Sequence, residues 1–149
     1  MSSFEGSSVT FLRVPATVRR AAIERFARRL EDEVTQGAAF DVLITGDTEL
    51  RRLNQKFRNK DYATDVLSFP PASPGARLGD LAISLARARA QAREFGHPIE
   101  REIQILMLHG VLHLMGHDHE IDGGEMARLE KRWRAKLGLP CGLIERVQS

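Results

Sequence analysis

The chain has 149 residues, 42% hydrophobic and 28% charged, with a formal net charge of +2 and a single cysteine, Cys141. That balance excludes a disordered or fibrous chain, and one cysteine excludes both an internal disulfide and a cysteine-based zinc ribbon. No stretch nears the ~20 uninterrupted apolar residues of a membrane helix, and MSSFEGSSVTF lacks the basic start and apolar run of a secretory signal, so a cytoplasmic protein without membrane partners is expected.

In chain order, VTFLRV alternates and carries β-branched residues, which predicts a first strand. Pro15 then opens a helix over roughly Ala16 to Thr35, with Val18, Ala22, Ile23, Phe26 and Leu30 at helical spacing. AAFDVLITG is a second strand. DTELRRLNQKFR follows as a short helix capped by Asp47 or Thr48, its inner face Leu50, Leu53 and Phe57. TDVLSFP is a third strand ended by Pro70, PASPGARLG a loop, and GDLAIS a fourth strand. Ser84 caps a helix to about Phe95, and GHP breaks the chain. Ile99 to Met115 is the most apolar helix, stopped by Gly116 in the position of a left-handed cap, and a last amphipathic helix covers about Gly124 to Leu137. Strands early and helices late predict one α+β domain over residues 1–149, a small mixed sheet of about four strands covered by helices.

Charge is distributed unevenly. RRAAIERFARR, RRLNQKFRNK and RARAQAR are each dense in Lys and Arg. Any one of them reads as a solvated helix face, but three in a small domain point to an anionic partner.

Four of the five histidines fall within HGVLHLMGHDHE, two of them inside an apolar run. A buried imidazole without a partner costs roughly 1–3 kcal/mol, so such a cluster needs hydrogen bonds or a metal. His109 and His113, four apart on a helix, project side by side and can reach one ion. The spacing H-x-x-x-H-x-x-G-x-x-H matches the metzincin pattern, in which a glycine turn brings back the third histidine. It selects His119 over His117 as third ligand, with Gly116 as hinge and Asp118 free to orient a ligand or act on water. Three imidazoles leave a coordination position open, which marks a catalytic rather than a structural ion. Gly110 sits inside the helix at a cost of about 1 kcal/mol relative to alanine, so the ion or a neighbouring backbone is expected to need its room. It also removes the glutamate that serves as general base in H-E-x-x-H proteases, which weakens a metalloprotease-like reading.

LNQKFRNKDYATDVLSFP, LGDLAIS and HGVLHLMGHDH, in this order, resemble the YbeY family of bacterial endoribonucleases and rRNA maturation factors, from the second strand to the last helix. The resemblance implies a single-strand-specific, zinc-dependent endoribonuclease acting on rRNA precursors, in 16S rRNA 3′-end maturation, ribosome biogenesis and ribosome quality control. It implies one zinc ion on His109, His113 and His119, a functional arginine at Arg58, and ribosomal small-subunit components as partners, with no DNA expected. Arg58 and His113 are then the catalytic candidates, and Lys56, Arg58 and Lys60 the RNA-binding ones. Arg58 suits bidentate contact with a phosphate, although a helix-end surface role fits its position as well. Phe57, Tyr62 and Phe69 bracket it, with Phe57 expected in the core, and Asp65 and Asp80 are expected in turn or structural roles. Nickel stays open beside zinc, because imidazole suits several transition metals. So do the nucleophile, either water or the RNA 2′-OH, and a third class of function, a ribosome-associated assembly factor with structural zinc.

Overall fold

The computed structural model describes residues 6–58, 64–73, 75, 77–117 and 123–140. Four strands, β1 (Ser8–Phe11), β2 (Phe40–Thr45), β3 (Val66–Phe69) and β4 (Gly79–Ser84), form one sheet in the order β1-β2-β4-β3. β1, β2 and β4 are parallel, and β3 closes one edge antiparallel to β4, with Ser68 beside Leu81. Among the described residues five α-helices cover it: α1 (Arg20–Arg29), α2 (Asp47–Arg58), α3 (Leu85–Phe95), α4 (Ile99–Leu114) and α5 (Glu125–Leu137). The expected α+β domain with a four-stranded mixed sheet is what forms. Among the described residues, no helix is long and apolar enough to cross a membrane.

Strand alternation decides which helix lies on which face. Phe40, Val42, Ile44, Leu81 and Ile83 point into the main core, where α1 and α4 supply Ile23, Phe26, Leu106, Met107 and Val111. Leu67 and Ala82 point the other way and meet Leu50 of α2, with Leu53 and Phe69 at the margin. α4 is the central element, buried at nearly every position from Glu102 to Leu112, as a helix apolar all round must be.

Three sequence expectations change. The first long helix begins at Arg20 rather than Ala16. Val18 closes a turn onto Pro15, and Arg19, in an extended conformation, donates its N–H to the Glu100 carboxylate at 2.8 Å. A contact with the start of α4 thus replaces a turn of helix. The second change is Phe57, which is 59% exposed rather than core. It lies in the last turn of α2 and its ring meets Phe69, the last residue of an edge strand, beyond which no further strand lies among the described residues. α2 starts at Asp47 itself, so neither Asp47 nor Thr48 stands before it as a cap, and the Asp47 carboxylate instead accepts from Ser84 Oγ, whereas α3 is bounded as the sequence predicts. Ser84 Oγ accepts from Arg87 N at 3.1 Å to cap α3, and Gly96 ends it at φ +70°.

The room at Gly110 is taken by side chains, not by an ion or a backbone. A Cβ there would lie 2.7 Å and 3.1 Å from the two Leu81 methyls and 3.2 Å from a Val66 methyl. Leu81 is itself fully buried and has nowhere to retreat. Gly110→Ala gains about 1 kcal/mol of helix propensity but loses more to overpacking, so a net destabilisation of about 1–2 kcal/mol is expected. Urea unfolding checks this, and a stabilised variant would show that α4 can lift off the sheet.

Candidate active site

α4 brings His109 and His113 to one face, one turn apart, with ring centroids 4.7 Å apart. His109 is only 5% exposed, so its ring must be partnered within the protein. Its Nδ1 lies 2.8 Å from Oε2 of Glu130, a carboxylate that is 1% exposed and projects from the buried face of α5. A carboxylate accepts, so Nδ1 donates to it, and in the neutral ring Nε2 keeps its lone pair. That Nε2 faces Nε2 of His113 at 3.2 Å.

Two arrangements satisfy this geometry. His113 can donate an Nε2–H to His109, or both lone pairs can face a common cation. Two nitrogens on a tetrahedral ion at about 2.0–2.1 Å are about 3.3–3.4 Å apart. The observed 3.2 Å is close to that tetrahedral edge. A carboxylate on the far nitrogen is also the usual support for a metal-binding imidazole. The pair therefore fits a divalent metal. Among the described residues no group of three potential ligands forms, and His119 and Asp118 lie outside them.

The chain beyond His113 does turn back. Gly116 adopts φ +100°, its N–H donates to His113 O at 3.0 Å, and His117 N–H donates to Leu112 O at 3.2 Å. These are the two bonds of a Schellman motif, and a left-handed residue there favours glycine. On the other side of α4, Ser68 Oγ donates to Gly110 O at 3.2 Å and ties β3 to the helix between the two histidines.

The remaining candidates are spread more widely. Arg58 closes α2, its side chain outside what is described, as are Lys60 and Tyr62 altogether. Lys56 Nζ lies 5.3 Å from the Phe57 ring centroid, and the Phe57 and Phe69 rings meet edge to face at 5.5 Å. Asp65 is structural: its carboxylate accepts from Val66 N at 2.8 Å and Gln91 Nε2 at 3.2 Å, joining β3 to α3. Asp80, the second residue of β4, lies beside Asp41 of β2, and burial followed by that like charge raises its carboxyl above the usual range. The fifth histidine, His97, pairs with the fully buried Glu102 at 2.7 Å and has no part in the cluster.

Sequence reasoning missed Glu130. A signal was present: Met126, Glu130 and Leu137 share the buried face of α5, and a carboxylate on an apolar stripe is too costly to bury without a partner.

The model of a family described as Endoribonuclease YbeY matches residues 12–138. Along all 149 residues the chain is 80% identical to an endoribonuclease YbeY of Solibacter usitatus (strain Ellin6076), covering 100% of each chain. It is 50% identical over 132 residues to an endoribonuclease YbeY of Koribacter versatilis (strain Ellin345), covering 89% of this chain and 86% of that one. A Thermotoga maritima protein solved in solution is 29% identical with a TM-score of 0.58, covering 86% of this chain and 93% of that one.

Glu130→Ala strands the Nδ1–H of a buried ring and is expected to cost about 1–3 kcal/mol of stability. Glu130→Gln, which keeps an acceptor oxygen, should cost less. Denaturant unfolding measures the cost and nitrogen NMR of the His109 ring reads its tautomer. Unchanged stability and tautomer in Glu130→Ala would mean that the carboxylate does not hold the ring.

Proposed function

The chain belongs to the YbeY family of endoribonucleases, which are RNA-cleaving hydrolases, and from that premise we propose that it cuts single-stranded rRNA precursors with a zinc ion held by His109, His113 and His119. The observation that carries the metal part is the 3.2 Å separation of two imidazole nitrogens, one of them backed by the buried Glu130 carboxylate. Two imidazoles whose Nε2 atoms converge at this distance suit a shared divalent cation. When bound, zinc supplies Lewis acidity to water and to a phosphoryl oxygen.

The chain's own residues do the rest. Glu130 holds the His109 ring in one tautomer and one orientation, so that both Nε2 atoms stay aimed at one point. Arg58 binds the scissile phosphate and offsets charge that grows on it in the transition state. Lys56 and Lys60 neutralise neighbouring phosphates. The attacking group is either water or the RNA 2′-OH. A 2′,3′-cyclic phosphate on the product assigns it to the 2′-OH, and 5′-phosphate ends without it assign it to water.

Beyond the cut itself, the proposed setting is the cytoplasm, on the small ribosomal subunit, in 16S rRNA 3′-end maturation and ribosome quality control. A peptidase mechanism finds less support. The position after His109 faces Leu81 and Val66, so a side chain there would enter the sheet rather than reach a substrate.

His113→Ala is expected to lower cleavage of a single-stranded RNA by about 100-fold or more and to reduce bound zinc, with the fold retained. Elemental analysis and thermal unfolding accompany the cleavage assay. Collapse of the fold on loss of zinc would favour a structural ion in an assembly factor instead. RNA affinity should fall steeply with salt, and Lys56→Ala should reduce the slope of log affinity against log salt by about one unit. A flat salt dependence would remove the basic segment from the interface.

A further inference from the structure

We propose that Phe57 is a stacking platform on which an unpaired base of the RNA rests while the adjoining phosphate lies at the active site, an inference that builds on the ribonuclease reading above. A single exposed apolar side chain is ordinary on a protein surface, so exposure alone means little. The surroundings of Phe57 are more specific. It is 59% exposed, the most open of the large apolar side chains among the described residues. Its ring is not loose, because Phe69 braces it edge to face at 5.5 Å from the edge strand.

The strand that carries this brace also reaches the histidine helix, from its other face. Phe69 follows Ser68, whose hydroxyl is bonded to the carbonyl of Gly110, the residue after His109. A Cβ on Gly79 would lie 2.5 Å from the Phe69 carbonyl and 2.9 Å from a Leu114 methyl, so Gly79 stands between the end of β3 and the last turn of α4. Phe57 immediately precedes Arg58 in the chain. The exposed ring is thus braced by a strand that, on its opposite face, bonds to the helix carrying the imidazoles, and it adjoins in sequence the arginine assigned to phosphate.

Charge names the occupant. The Lys56 ammonium stands 5.3 Å from the Phe57 ring centroid. A cation beside a flat π surface suits a nucleotide, which offers a base to the ring and a phosphate to the ammonium, better than it suits an apolar peptide. Phenylalanine has no hydrogen-bonding atom with which to read a base edge, so the platform accepts any base. It does reject bases already stacked within an A-form helix. Preference for single strands without a sequence motif follows from one ring.

The test measures binding of zinc-loaded full-length protein to a labelled, short, 2′-O-methylated single-stranded oligonucleotide by fluorescence anisotropy. Phe57→Ala is expected to weaken binding about 5- to 100-fold, Phe57→Leu by a similar factor, and Phe57→Trp by no more than about twofold. The loss should shrink when the oligonucleotide carries abasic sites, and because the ring is exposed the thermal midpoint should hold within a few degrees. Phe57→Ala or Phe57→Leu binding within about twofold of the parent would overturn the platform and leave the ribonuclease assignment standing. No binding by the parent protein would take both down. Unchanged RNA affinity with altered self-association in Phe57→Ala would assign the ring to a second copy of the chain and overturn the proposal.

Discussion

A carboxylate and an imidazole meet inside the protein, between α4 and α5, with almost no access to water. Glu130 is 1% exposed and His109 5% exposed, and their contact is 2.8 Å. Neither polar group is tolerable there alone, because an unpaired buried charge or ring nitrogen costs several times the net value of a hydrogen bond. Each therefore constrains the other. α5 must lie where Glu130 reaches the ring, and the ring must keep its proton on Nδ1. His113, one turn on, then meets the other ring nitrogen of His109 at 3.2 Å. The chemical state of the pair follows from a packing decision made by a helix that itself contributes no histidine.

A second constraint sets where that pair stands relative to the sheet. Gly110 lets α4 settle on Leu81 and Val66, and Ser68 bonds to the helix backbone at the same level. Close approach brings the end of β3 to the last turn of α4. Phe69, on the opposite face of the same strand, braces Phe57, so one edge strand touches both the basic end of α2 and the histidine helix. The histidine pair and the Lys56–Phe57 segment, some fifty residues apart in sequence, both touch this one edge strand through their neighbours. The missing side chain at Gly110 thus has a structural cause in the sheet, and its chemical effect, the absence of a protease-like base, is secondary.

Much of the architecture was readable beforehand. The apolar period of α4, the Ser84 cap, the Gly96 and Gly116 stops and the alternation in β2 and β4 all form as their residue types require. Local chemistry sufficed for these, since each depends on neighbours within one or two turns. The early start expected for α1 was lost to a bond between Arg19 and Glu100, 81 residues away. Phe57 was misplaced for a related reason: helical spacing says that a residue lies on the inner face, not that an inner neighbour extends far enough to cover it.

By itself, then, the sequence determined the strands, the helices, the imidazole pair on one helix face and the turn that follows, because all of these are properties of short chain segments. Only the tertiary structure decided that Glu130 stands behind His109, that Leu81 occupies the space at Gly110 and that Phe57 remains open beside Lys56. Periodicity records which side of a helix is hidden. It carries no information about which residue, distant in the chain, will lie against that side, and the chemistry of a site is set by that contact.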